Sequence, residues 1–179
     1  MPARTSPGCR PPGGTGKLPP DAPGLRHHLT RVLPYTPDQL FRLVGDVEAY
    51  PDFVPWIASM RTWNRRTLSE GVEAVDAEAG VRFALLKERF STRVRLDSTN
   101  REIGVDLLSG PFRRLINRWR FVDLGAQGTR VDFEIDFAFK SRMLDALLSA
   151  NFHHAVDRLM SCFEARATAL YDPAHASAG

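Results

Sequence analysis

From Ser141 to Tyr171 apolar residues recur every three or four positions. Leu144, Leu148, Phe152, Ala155, Leu159, Phe163 and Leu170 share one helical face. Asp145, Asn151, His153, Asp157, Arg158, Glu164 and Arg166 fall mostly elsewhere around the cylinder. Ser141 is a helix-capping residue, and Pro173 disfavours helical geometry in Asp172 before it. The pattern predicts one helix of roughly 45 Å at 1.5 Å per residue. So long and one-sided a helix needs a concave apolar partner.

Upstream the period changes to two. His28–Pro34 reads as a first strand, and Thr36 with Gln39 forms a capping box that opens a helix through Leu40, Phe41, Val44 and Val47. Val47–Phe53 adds a second helical turn. Strands follow over Ile57–Arg66, Val72–Ala79, Val81–Asp97, Glu102–Leu108, Asn117–Leu124 and Thr129–Lys140. In the last hairpin Val131, Phe133, Ile135, Phe137 and Phe139 alternate with Arg130, Asp132, Glu134 and Asp136. Pairing Phe121 with Val131 sets Arg120 against Asp132 and Arg118 against Glu134, and a one-residue slip would turn every phenylalanine outward.

These elements specify an α+β, helix-grip architecture. About seven antiparallel strands curl around the C-terminal helix, with two short helices inserted after the first strand. The expected inward face is rich in large side chains, and a cavity between sheet and helix is an even prospect against solid packing.

Composition narrows the functional classes. The chain has 179 residues, 43% hydrophobic and 25% charged, with a net charge of +3. That excess lies in residues 1–26, where Arg4, Arg10, Lys17 and Arg26 face Asp21 alone, so the rest is formally neutral and DNA is not an expected partner. Prolines and glycines make up half of the first 24 residues, and residues 1–25 read as a disordered leader, with 173–179 a flexible tail. The leader has no apolar core of a secretory signal, and Gly13–Lys17 lacks the flanking residues of a phosphate loop. Cys9 and Cys162 make no disulfide framework and suit a reducing, cytoplasmic setting.

Several runs resemble the ubiquinone-binding START-like family. They are Leu33–Phe41, Leu43–Val47, Tyr50–Trp56, Leu107–Phe112, Trp119-Arg120-Phe121, Val131-Asp132-Phe133 and Phe137-Ala138-Phe139, in order and at the family's spacing over residues 27–172. The family includes a mitochondrial coenzyme Q-binding protein that supports respiration. It also includes a bacterial ribosome association toxin that hinders subunit joining. The resemblance implies a non-catalytic domain that binds ubiquinone or a similar polyisoprenoid, as ligand and not cofactor, in the cytoplasm or at the inner membrane. The alternative it implies is a ribosome-bound inhibitor of subunit association. On this reading the ligand contacts are Trp56, Phe90, Val94, Ile103, Val105, Leu107, Trp119, Phe133, Leu148 and Phe152.

Candidate chemistry is sparse. His27-His28 and His153-His154 read as solvated surface pairs rather than metal ligands. No Ser-His-Asp or Cys-His arrangement stands out, and an interior almost free of polar groups does not suit a cyclase. Glu88 shares parity with Phe90, but Phe83 and Leu85 have the opposite parity. A bulge near Lys87–Arg89 that places Glu88 in water is the expected outcome. The Gly110–Asn117 connection mixes Phe112, Leu115 and Ile116 with Arg113 and Arg114, which fits a loop docking on an anionic membrane surface or on ribosomal RNA, and equally fits apolar residues tucked under the sheet edge with only the arginines in water.

Overall fold

The computed structural model describes residues 24–83 and 86–172. Nearly all of the expected leader, the C-terminal tail, and the side chains of Phe83 and Leu85 lie outside the described residues.

The elements run β1 (Leu25–Leu33), α1 (Pro37–Gly45), a 3-10 turn (Val47–Ala49), α2 (Tyr50–Phe53), β2 (Ile57–Ser69) and β3 (Val72–Phe83). Then come β4 (Leu86–Asp97), β5 (Glu102–Ser109), β6 (Phe112–Asp123), β7 (Thr129–Phe139), α3 (Arg142–Ser149) and α4 (Phe152–Tyr171). One antiparallel sheet of seven strands has the order β1-β7-β6-β5-β4-β3-β2, and α4 packs across it. This is the helix-grip fold.

Local chemistry sets the elements as the sequence indicates. Thr36 Oγ1 accepts from Gln39 N, and Gln39 Oε1 accepts from Thr36 N, so both halves of the capping box form. The β6–β7 register pairs Phe121 with Val131, Arg120 with Asp132 and Arg118 with Glu134, as expected. The arginines nevertheless reach the other way. Arg120 bonds Glu102 at 2.7 Å and Arg118 bonds Asp106 at 2.9 Å, both on β5.

Three expectations are corrected. The C-terminal segment is two helices, broken at Ala150-Asn151, where Asn151 leaves helical geometry at φ −123°, ψ 10°. Ser149 and Asn151 are residues whose side chains compete for backbone groups, which weakens a helix there. α4 alone spans about 30 Å. Second, Val81–Asp97 is not one strand. The chain reverses between Phe83 and Leu86, and β3 pairs with β4 without a break from Phe83↔Leu86 to Val72↔Asp97. Third, Gly110–Asn117 is mostly strand, because β6 begins at Phe112. Gly110 makes that turn possible at φ +139°, where an added Cβ would lie 2.5 Å from the Phe90 Cβ.

The core is solid at one end. Val94, Ile103, Trp119, Phe121, Phe133, Met160 and Phe163 are all buried, with the Phe163 ring 5.1 Å from Trp119 and Trp119 4.4 Å from Phe133. Tyrosines pin the C-terminal half of α4 there. Tyr35 Oη donates to Thr168 Oγ1 at 3.1 Å, and Tyr171 Oη donates to Gln39 O at 3.0 Å.

On the outer face a buried carboxylate ties three strands. Asp76 accepts from Arg93 Nε at 2.8 Å and Nη2 at 3.1 Å, and from Asn64 Nδ2 at 2.9 Å. These bonds hold its pKa down at about 2. A depressed folded pKa contributes stability above the ordinary carboxylate value of about 3.9, and that contribution fades as pH falls towards 2. Asp76→Ala is expected to destabilise by about 2–4 kcal/mol at pH 7. Urea unfolding of both proteins at pH 7 and at pH 2.5 checks this, with the gap narrowing in acid.

Candidate functional site

At the N-terminal half of α4 the packing opens. A cavity of about 300 Å³ lies between the sheet, α3 and α4. β4 and β3 supply Phe90 and Val81, β6 supplies Phe112, and β7 supplies Ile135, Phe137 and Phe139. Leu148 of α3 and Phe152, Ala155, Val156 and Leu159 of α4 close it, with Trp56 and Pro111 at its edges. The volume is at the small end for ligand pockets and equals roughly ten water volumes.

Its polar groups are Glu88, Asn151, His154 and Arg158. Asn151, His154 and Arg158 are exposed, so they mark the rim. The Arg158 guanidinium also sits 5.5 Å from the Trp56 ring centre. Glu88 is half-buried and aligned opposite Val81 in an unbroken register, so the expected bulge is absent and its parity with Phe90 places it on the wall. The bulge argument failed because Phe83 belongs to β3 and Phe90 to β4, and parity need not carry across the reversal between them. The register shift that does occur near here is in the β4–β5 pairing, at Ser91/Thr92.

Of the ten ligand residues expected from sequence, Trp56, Phe90, Leu148 and Phe152 line this cavity. Val94, Ile103, Trp119 and Phe133 belong to the solid core, while Val105 and Leu107 are half-buried and pack against it. Phe112, for which the sequence leaves a docking tip and packing under the sheet edge both open, lines the cavity and stacks on Phe139 at 4.6 Å. Leu115 is buried. Arg113 Nε donates to Phe139 O at 2.7 Å, and Arg114 pairs with Asp136 at 2.9 Å. Those four residues form a strand, not a loop tip.

The two histidine pairs meet across the fold. His27 Nδ1 of β1 and His153 Nδ1 of α4 lie 2.8 Å apart, so one ring donates and the other accepts. His27 is half-buried rather than solvated, and burial, with His153 second, pushes its pKa below the ordinary value. Sequence separation hid this contact, since the residues are 126 apart. Among the described residues no group of three or more His, Cys, Asp or Glu side chains could hold a metal.

An apolar cavity gripped between a curved antiparallel sheet and a C-terminal helix defines a START-like, helix-grip class of domain. The chain belongs to the polyketide cyclase/dehydrase and lipid transport family, whose model matches residues 33–164. It is 35% identical over 141 residues to the ribosome association toxin RatA of Rickettsia prowazekii, covering 77% of this chain and 92% of that protein. It is 27% identical over 151 residues to the mitochondrial coenzyme Q-binding protein COQ10 homolog B of Xenopus laevis, covering 82% of this chain and 59% of that one. Among solved structures, an 18 kDa protein of Caulobacter crescentus shares 60% identity and a TM-score of 0.70, over 82% of this chain and 98% of its own. A START superfamily protein of Mycobacterium smegmatis, 20% identical with a TM-score of 0.69, shares the fold over 81% of this chain and 98% of its own.

Proposed function

We propose that this protein is a non-catalytic carrier of ubiquinone or a similar polyisoprenoid lipid, serving respiratory electron transport. The observation that carries this reading is the composition of the cavity wall. Thirteen of its seventeen lining residues are apolar or aromatic, and the four polar ones gather at Glu88 and the first turns of α4. An apolar chain gains roughly 0.8 kcal/mol per buried methylene, so a dry wall binds it with few polar contacts. The rim donors Arg158 and His154 suit the carbonyl oxygens of a quinone head. A volume near 300 Å³ holds a head or a few isoprene units, and the remaining tail stays outside. Among the described lining residues the side chains are apolar or aromatic apart from Glu88, Asn151, His154 and Arg158, which suits holding a lipid. Native purification followed by organic extraction and mass spectrometry tests the reading. A retained isoprenoid quinone is expected, and repeated recovery of none would count against it.

A second reading, association with ribosomal RNA, rests on a separate surface. The outer face of β2–β4 carries Arg61, Arg66, Arg82, Lys87, Arg89, Arg93 and Arg95 against Asp76, Glu78 and Asp97, with Trp63 exposed among them. Arg61 and Arg89 share Glu78, and Arg82 and Lys87 have no ion-pair partner among the described residues. Phosphates attract such a face and an unstacked base fits an exposed indole. If this reading holds, Arg82→Glu with Lys87→Glu flattens the salt dependence of co-sedimentation with ribosomal subunits by a log–log slope of about 2. An unchanged slope would remove this face from consideration.

A further inference from the structure

α3 has apolar residues on both of its sides, and only one side has a partner in the fold. Leu144 and Leu148 pack against the core, and Leu148 lines the cavity. On the other side Met143, Ala146, Leu147 and Ala150 are exposed, at the i, i+3, i+4, i+7 spacing of one helical stripe. Met143 is 76% exposed and Leu147 64%, more than any other large apolar residue named in the fold. Such a stripe is costly in water and is not needed for packing.

The surroundings identify what meets it. Lys140 and Arg142 are exposed at the start of the helix. The helix's one acid, Asp145, is turned inward, where it accepts from Phe139 N at 2.9 Å and lies 3.5 Å from Arg113. The outward stripe is therefore apolar, flanked by cations and free of carboxylates. Anchoring is light. No α3 residue is fully buried, and the helix ends at the Ala150-Asn151 break, beyond which α4 is pinned at its far end.

We propose that α3 is a membrane-docking lid. Met143 and Leu147 enter the interface of an anionic bilayer while Lys140 and Arg142 meet the headgroups, and the same helix covers the cavity with Leu148. This rests on the lipid-carrier reading and adds where the lipid enters and leaves. It also moves the membrane contact from the Arg113-Arg114 run, which is committed to β6, to the adjacent helix.

Flotation of the full chain with phosphatidylcholine vesicles, with and without 30% phosphatidylglycerol (about one lipid in three), tests it. The chain is expected to float with the anionic vesicles. Met143→Gln with Leu147→Gln, which keeps good helix formers, should lower partitioning by about tenfold or more without moving the thermal midpoint. Lys140→Glu with Arg142→Glu should lower it at low salt and converge on the parent at high salt. Parent chain that never floats, or glutamine variants that float as well as the parent, would overturn the docking role. So would a dimer in light scattering that the glutamine pair dissolves, because the stripe would then be a contact between copies. Lipid extraction from the same preparations separates the two claims. Flotation with an empty cavity keeps the docking and sinks the carrier reading, whereas retained lipid without flotation does the reverse.

Discussion

Phe133→Ala is expected to destabilise the protein by about 3–5 kcal/mol, the range for truncating a fully buried phenylalanine. The side chain is 0% exposed, its ring centre lies 4.4 Å from that of Trp119 at a tilt, and it sits opposite Leu29 of β1 and Trp119 of β6 in register. For a chain of this length each kcal/mol shifts the thermal midpoint by roughly 2–4 °C, so a fall of about 6–20 °C should follow. Urea titration gives the free energy directly. A loss under about 1 kcal/mol would mean that the void extends beneath the middle of β7, and that the cavity is larger than the wall residues indicate. The expected result separates the sheet into a close-packed half, around Trp119 and Phe163, and a half that lines the cavity, around Phe90 and Phe137.

That division was not legible in the sequence. Period-two alternation states which face of a strand a residue occupies, and it placed Val94, Ile103 and Phe133 inward as the structure does. It carries no information about position along the helix that covers that face. Whether an inward residue meets a side chain or a void depends on how closely α4 approaches at that level, and the tyrosine bonds to Thr168 and Gln39 decide this from outside the strand pattern. The capping box and the β6–β7 register were legible because each depends on residues a few positions apart, or on one repeating period.

The misreadings have local causes too. The helix break at Asn151 leaves the apolar spacing almost undisturbed, since Leu148 and Phe152 both line the cavity on either side of it. Periodicity therefore joined two helices into one. At Gly110-Pro111 the turn residues were recognised, but the strand after them begins at once, and Arg113 and Arg114 look like loop residues until β7 supplies Phe139 O and Asp136 as their partners. The outward stripe of α3 went unseen for a related reason. Met143 and Leu147 adjoin the inward Leu144 and Leu148 in sequence, and only the packing shows that they are left in water.

Ala155→Trp is expected to abolish lipid retention while leaving stability close to that of the parent. Ala155 is half-buried on α4 and forms part of the cavity wall beside Phe152 and Leu159. An indole added there projects towards about 300 Å³ of space bounded by Phe90, Ile135 and Phe137. Filling an existing void gains contacts, whereas overpacking a closed core typically costs 1–3 kcal/mol. The two outcomes are separable in one preparation, by thermal midpoint and by mass spectrometry of the organic extract. Ala155→Leu provides a graded step, with partial loss of retained lipid and a midpoint equal to or above the parent's. If the tryptophan variant is strongly destabilised and parent and variant extracts are alike, the space does not bind lipid, and the arginine face of β2–β4 becomes the surface to pursue. If lipid disappears and the fold holds, the occupant sits between α4 and β7. Exposed Arg158 and His154 then lie at its polar end, and α3 is a wall of the cavity with no fully buried residue to hold it shut.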